Sequence, residues 1–325
     1  MSMRKQIVEA AKSFTADDQV LVPKSDVLAA LQSTAAKRGM TMSKFVETPE
    51  GRRLICHPRG KKSDCVVGDR VRWQPAGDEG VIENVEPRRN LLFRQDEWRT
   101  KAFAANLDQI LVMVASEPVF SESQLARALI AAESAGIAAQ VLLNKADLPQ
   151  IGAARQRLAP YAAMGYGVIE VALKARPDEA RAKLGAMLDQ KTTLVLGPSG
   201  AGKSTLINLL APDAKAQVGE ISQALNSGRH TTTTTQWYWL DAERHSGLID
   251  SPGFQEFGLR QVDAQRLPTL MPDLREHAAQ CRFYNCTHLH EPGCGVRAAL
   301  ERGEISESRY RIYGEIYEEL MRTRW

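Results

Sequence analysis

Apolar positions along the chain follow three successive rhythms. In the first 38 residues they recur at helical spacing, Ile7, Val8 and Ala11, then Val27, Leu28 and Leu31, around an irregular middle. Residues 1–40 are therefore expected to be a leader, partly helical or mobile. Over residues 41–105 the pattern changes to short alternating runs, "KFVET", "RRLICHPRG" and "VVGDRVRWQPAGDEGVIENVEPRRN". Turn signals at Gly68-Asp69 and Pro75-Ala76-Gly77-Asp78 separate them. About five short strands in so small a segment suit a β-barrel of the OB type better than a sandwich. The buried-strand run "LDQILVMVAS" then opens a third region, 106–259, where strands alternate with helices. That alternation predicts a doubly wound, mostly parallel sheet with helices on both faces, and an α/β fold class. Residues 260–325 read as a helical domain interrupted by a Cys/His group, with a charged helix at 304–322.

Composition narrows the class. A chain of 325 residues implies two or three domains, and 43% hydrophobic with 25% charged residues is ordinary for a globular protein. No apolar run approaches the ~18 residues of a membrane span, and "MSMRKQIVEAAKS" lacks the apolar stretch of a signal peptide. A cytoplasmic setting, no membrane partner and a monomer are expected. A net charge of +3 decides nothing by itself, so a nucleic-acid partner would have to rest on local patches.

"GPSGAGKST" carries the clearest chemistry. Gly197, Gly202, Lys203 and Ser204 match G-x-x-x-x-G-K-[ST], between the strand-like "TTLVL" and the helix-like "TLINLLA". The loop of Gly197, Pro198, Ser199, Gly200, Ala201 and Gly202 would wrap the phosphates with its backbone N–H groups, of which Pro198 has none, at a helix N-terminus, continued by Ser204 and Thr205. Lys203 would neutralise the β- and γ-phosphates and Ser204 would ligate Mg²⁺. The loop alone does not separate ATP from GTP.

"NKAD" supplies the base. Guanine presents a ring N–H and an exocyclic amine on one edge, and an in-plane carboxylate accepts both; adenine lacks that donor pair. Asp147 is the expected reader, Asn144 supports the N7/O6 side, and Lys145 and Ala146 complete the loop after "AAQVLL". Two further segments suit a γ-phosphate sensor. "LIDSPG" puts Asp250 at a strand end, able to hold Mg²⁺ through water, with Gly253 three residues on. "GRHTTTTTQ" supplies a threonine for Mg²⁺, assigned to Thr232, in a stretch whose composition also favours a strand. Where many switch GTPases place glutamine after that glycine, this chain has Phe254, so His230 is the candidate to orient the attacking water. An exposed histidine without a role would have the same spacing.

The base loop here precedes the phosphate loop, the reverse of the usual order. Loops at the carboxyl ends of several strands build such sites, so a circular permutation preserves the pocket when the old termini lay close together.

Cys281, Cys286, His288 and Cys294 form Cys-x4-Cys-x-His-x5-Cys, with His290 an alternative imidazole. Three thiolates and one imidazole suit a closed structural Zn²⁺ site with no open position for catalysis. Cys56 and Cys65 fit strand packing better than metal. In the β-rich region Arg52, Arg53, Arg59, Lys61, Lys62, Arg88, Arg89 and Arg94 cluster, with Trp73, Phe93 and Trp98 available for stacking on RNA. Solvated charges and core aromatics would give the same pattern.

"VVGDRV", "AANLDQILV", "NKADL", "GPSGAGKSTLIN", "GRHTTT", "DSPG" and "CRFYNCTHLHEPGC" together span about residues 45–300. On these the chain resembles the bacterial ribosome-small-subunit-dependent GTPase A family, RsgA or YjeQ. The resemblance implies an N-terminal OB domain, a circularly permuted GTPase domain and a C-terminal zinc domain. It also implies GTP hydrolysis to GDP and phosphate, stimulated by the small ribosomal subunit, in late maturation of that subunit and with contact to its rRNA. The histidine of "GRHTTT", His230 here, would be catalytic. Two stretches depart from the family: residues 1–40 hold six Lys/Arg against four Asp/Glu rather than a strongly basic leader, and the Ser-Ala loop that supports guanine reads "EVALKA" at 170–175.

Overall fold

The computed structural model describes residues 19–22, 44–48, 53–59, 65–77, 79–95, 100–212, 235–251 and 259–322. His230, Thr232, Gly253, Phe254, Trp98, Arg52, Lys61 and Lys62 lie outside the described residues.

Five strands, β1 (Gln19–Val22), β2 (Lys44–Glu47), β3 (Arg53–Pro58), β4 (Asp69–Ala76) and β5 (Glu79–Val85), close a barrel in the order β1-β2-β3-β5-β4. All neighbours are antiparallel except β3 and β5, the Greek-key crossing of the OB barrel. Alternation explains the closure: in β4, Asp69, Val71 and Trp73 point inward while Arg70, Arg72 and Gln74 face solvent. Val46, Leu54, Cys56, Cys65, Val71, Trp73 and Ile82 fill the interior. A Cβ on Gly80 would lie 2.5 Å from Cys56 Sγ and 2.8 Å from Trp73 Cε3, so glycine is what lets β5 pass the indole.

Two expected bounds need correction here. The 1–40 leader contains a barrel strand, because Gln19–Val22 pairs with both β2 and β4. The barrel does not extend to residue 105. β6 (Leu91–Gln95) and β7 (Thr100–Ala105) form a separate hairpin whose Leu92 and Phe103 join the core of the next domain. Trp73, at 1% exposed, takes the core alternative and not that of a stacking platform. The arginines expected on an RNA face are largely engaged within the chain: Arg53 with Glu47, Arg59 with Glu83, Arg88 bidentate with the buried Asp69, and Arg89 with Asp108. Cys56 and Cys65 are buried in the barrel, as strand packing requires.

The central domain is a six-stranded sheet in the order β10-β9-β8-β11-β13-β12. Its strands are β8 (Gln109–Ala115), β9 (Ala138–Asn144), β10 (Gly167–Glu170), β11 (Thr192–Leu196), β12 (Gln236–Trp239) and β13 (Gly247–Asp250). Only β12 runs antiparallel to its neighbour. Every residue of β8 is buried, because a strand covered on both faces has no polar side to show. Helices α1 (Glu122–Ala135), α2 (Ile151–Ala163), α3 (Pro177–Leu188) and α4 (Lys203–Leu210) cover the faces. Local chemistry sets their ends. Ser121 Oγ caps α1 by accepting from Gln124 N at 3.3 Å, and Gly136, at φ 65°, ends it in the left-handed conformation.

A 3₁₀ helix (Ala264–Leu270) leads into α5 (Pro272–Ala278), α6 (Gly295–Glu301) and α7 (Glu307–Arg322). Their apolar faces share one core with the sheet: Leu259, Val262, Leu267, Ile312, Tyr313 and Ile316 cluster with Leu125 and Leu129 of α1. Within that seam Arg309 of α7 makes two hydrogen bonds to Asp273, at 2.7 and 2.9 Å, and stacks over Tyr161 of α2. No helix among the described residues is long and apolar enough to cross a membrane.

Candidate functional site

The strand order brings the shuffled motifs together. β9, β11 and β13 are parallel, so Asn144, Gly197 and Asp250 all emerge at the same carboxyl edge of the sheet. β8 and β11 occupy its middle, and the loops leaving them stand next to one another.

The phosphate loop is packed where its glycines are needed. Gly197 is buried, and a Cβ there would lie 2.4 Å from the Met113 carbonyl oxygen. Gly202 has φ 109°, and its Cβ would lie 2.4 Å from Asn144 Nδ2. Ser199, Gly200 and Ser204 are exposed, Ala201 is buried, and Pro198, Gly202, Lys203 and Thr205 are half-buried. The Lys203 ammonium donates to the carbonyls of Gly197 and Pro198. Burial pushes its pKa down, partly offset by the charge of Asp250; burial pushes the Asp250 carboxyl up, partly offset by Lys203. Asp250 Oδ1 is buried with no hydrogen-bond partner among the described residues. A buried carboxylate oxygen left so calls for a cation or its water shell.

Asn144 is the hinge between the two loops. Its buried Nδ2 donates to the Ala201 carbonyl at 2.8 Å, and its Oδ1 accepts from Leu173 N at 3.2 Å. One side chain thus joins the base loop, the phosphate loop and the 170–175 segment. Ala146 N donates to Val171 O at 3.1 Å, and Val171, Ala172 and Leu173 are buried beneath. Lys145 adopts φ 60° and aims its ammonium at the Glu117 carbonyl, 2.6 Å away. Asp147 is exposed at the tip. Reasoning from motifs misses Ser116 and Glu117, because each acts through a hydrogen bond to another loop and belongs to no spacing pattern. The signal available was the turn-forming Ser-Glu-Pro directly after the β8 run.

The Cys/His group lies in the loop between α5 and α6. Ligand atoms of Cys281, Cys286, His288 and Cys294 lie within 4.8 Å of one another, a group that can hold a metal ion. His288 Nδ1 stands 3.4 Å from Cys281 Sγ and 3.5 Å from Cys294 Sγ, whose sulfurs are 3.9 Å apart. His288 is buried beside the thiols, and His290 is exposed. Glu291 braces the loop by accepting from Thr287 N and Oγ1 at 2.9 and 2.6 Å. From α7, the Tyr310 and Tyr313 hydroxyls donate to the carbonyls of His288 and Thr287 at 2.7 and 2.6 Å.

Comparison with known proteins agrees with this arrangement. The RsgA GTPase family model matches residues 85–260. The small ribosomal subunit biogenesis GTPase RsgA of Variovorax paradoxus is 62% identical over 286 residues, 86% of this chain and 90% of that one. The protein of the same name from Burkholderia pseudomallei is 53% identical over 271 residues, 83% of this chain and 86% of its own. Among solved structures, YjeQ from Thermotoga maritima matches with TM-score 0.68 at 29% identity, covering 94% of this chain and 98% of that chain. YloQ, a circularly permuted GTPase, shares the fold at TM-score 0.66 and 24% identity, over 94% of this chain and 96% of its own. With its permuted sheet, its OB barrel and its Cys3His helical domain, this chain belongs to the RsgA GTPase family.

Proposed function

We propose that the protein is a GTPase of small-ribosomal-subunit maturation, binding GTP at the carboxyl edge of the sheet and hydrolysing it to GDP and phosphate when docked on the subunit. The observation that carries the reading is the Asn144 bridge, which fixes the base loop against the phosphate loop at one edge despite their reversed order. The relatives named for small-subunit biogenesis support the choice of partner.

In this reading the Asp147 carboxylate accepts both donors of the guanine edge, while Asn144 and the 171–173 backbone support the opposite side. Backbone N–H groups from Gly197 to Thr205, Pro198 excepted, hold the phosphates, and Lys203 turns from loop carbonyls toward the β- and γ-oxygens. Magnesium would be held by the Ser204 hydroxyl, Thr232 and the water shell at Asp250, supplying charge neutralisation at the phosphates. The unpartnered Asp250 Oδ1 fits that role. His230 orients the attacking water and Gly253 senses the γ-phosphate. The metal of the Cys3His group is zinc: tetrahedral Zn²⁺ with thiolate and imidazole ligands needs S···S and S···N edges of roughly 3.8 and 3.6 Å. The separations of 3.9 Å and 3.4–3.5 Å fit. The protein works as a cytoplasmic monomer that contacts rRNA of the subunit.

Measuring GTP turnover with and without purified small subunits tests the proposal. At least tenfold stimulation by the subunit, with no turnover of ATP, is the expected result. An unstimulated rate would leave a nucleotide-tuned RNA-binding scaffold, and equal use of ATP would refute the base assignment.

A further inference from the structure

We infer that Ser116 is a positioning residue for guanine selection: its hydroxyl holds the left-handed backbone of Lys145 and so sets where Asp147 points. This rests on the guanosine triphosphate site proposed above.

Lys145 is one of only a few described non-glycine residues with positive φ, at 60°. A side chain in that region persists only where the surroundings over-determine it. The surroundings are the first residues after β8. Ser116 is 4% exposed; its N–H donates to the Asn144 carbonyl at 3.2 Å and its Oγ donates to the Lys145 carbonyl at 2.8 Å. The next residue takes the other end of the same lysine, Glu117 O accepting from Lys145 Nζ at 2.6 Å. Main chain and side chain of Lys145 are thus gripped by consecutive residues of one loop. Leu148 N donates back to Lys145 O at 3.1 Å, so that carbonyl carries the turn in which Asp147 sits. The Ser116 hydroxyl is buried and spent on the Lys145 carbonyl. Its influence passes through the orientation of the Asp147 carboxylate, which must lie in the base plane to accept two donors.

Inosine triphosphate offers the ring N–H without the exocyclic amine, so the preference for GTP over it reads the second bond alone. Displacement of a fluorescent GDP analogue by GTP and by inosine triphosphate should be measured on the full chain for the parent, Ser116→Ala, Asp147→Ala and the double variant. Ser116→Ala is expected to lower the GTP preference about fivefold, the size of a modest hydrogen-bond loss, and to add less than about twofold once Asp147 is alanine. Equal losses for both nucleotides, or a Ser116 effect undiminished without Asp147, would overturn the inference by making Ser116 a general support of the fold. Should Ser116→Ala fail to fold by circular dichroism, Ser116→Cys keeps the volume with a weaker donor and must still reduce the ratio. A parent with no GTP preference would instead overturn the guanine site and this inference together.

Discussion

Replacing Asp147 by asparagine changes one oxygen to an amide nitrogen at the exposed tip of the base loop. The loop itself is held by Asn144, Ser116 and Val171, none of which contacts that side chain through a recorded bond, so the backbone should keep its shape. Because Asp147 is exposed, its carboxylate is hydrated before nucleotide arrives, and each bond to guanine contributes only the net exchange, about 1.5–3 kcal/mol for a charged acceptor. Asparagine retains one acceptor, and its amino group meets a donor on guanine, so one bond is lost. At ~1.4 kcal/mol per decade, GTP affinity should fall roughly 10- to 100-fold. Xanthosine triphosphate carries a carbonyl where guanine has the amine, and should gain by a similar factor, swinging the ratio by about three decades. Displacement of a labelled diphosphate gives both affinities directly, and turnover at saturation checks that the phosphate end is unharmed. If both nucleotides weaken in parallel, or neither changes, Asp147 does not read the base.

His230→Ala should lower subunit-stimulated turnover about 100-fold, as loss of a positioned acid–base group does, with GTP affinity within about twofold. Equal turnover in variant and parent would remove His230 from the mechanism. Metal analysis of the purified chain should find one zinc per protein, released by a mercurial with loss of the circular dichroism of α5–α7; absence of zinc would refute the cage. Arg309→Met leaves Asp273 buried without its partner, their side chains being 4% and 11% exposed, and should reduce stability by about 3–5 kcal/mol in urea melts. Adding Asp273→Leu should restore most of that, and a loss under about 1 kcal/mol would mean the pair is solvated.

What the sequence made legible divides along a physical line. Features set by local chemistry were readable: the P-loop between strand and helix, the buried and mostly apolar β8, the Cys/His density of the metal group, and the inward alternation of β4. Features set by packing across the chain were not. "QVLV" at 19–22 is four residues with no period to separate it from a helix, and only pairing with Asp69–Arg72 makes it a strand. The hairpin at 91–105 alternates like a barrel strand, yet Leu92 and Phe103 find the larger core of the α/β domain. Arg88 counted in the basic cluster because charge is visible in sequence, while its partner, Asp69, is 19 residues away. Ser116 was invisible for the same reason: its function is a bond to a strand end 29 positions on.

The permutation has a mechanical consequence that the packing makes concrete. In this chain order the strand that carries Asp250 runs, with few residues between, into Leu259 and Val262, which sit in the core shared with α7. The adjacent edge strand β12 is tied to the barrel instead. Trp239 Nε1 donates to Glu47 of β2, a carboxylate 5% exposed that also pairs with Arg53 at 2.8 Å and lies 3.9 Å from Arg244 in the β12–β13 turn. The barrel node stands at the amino end of β13, where Trp239 pairs with Gly247, while Asp250 stands at its carboxyl end; the barrel attaches through a buried polar node, the metal-bearing helices through a continuous apolar core. A polar node bends and re-forms at lower cost than a packed core, which resists deformation as a jigsaw does. The barrel is accordingly the more compliantly joined of the two outer domains, and the metal-bearing helices the more rigidly joined to the sheet.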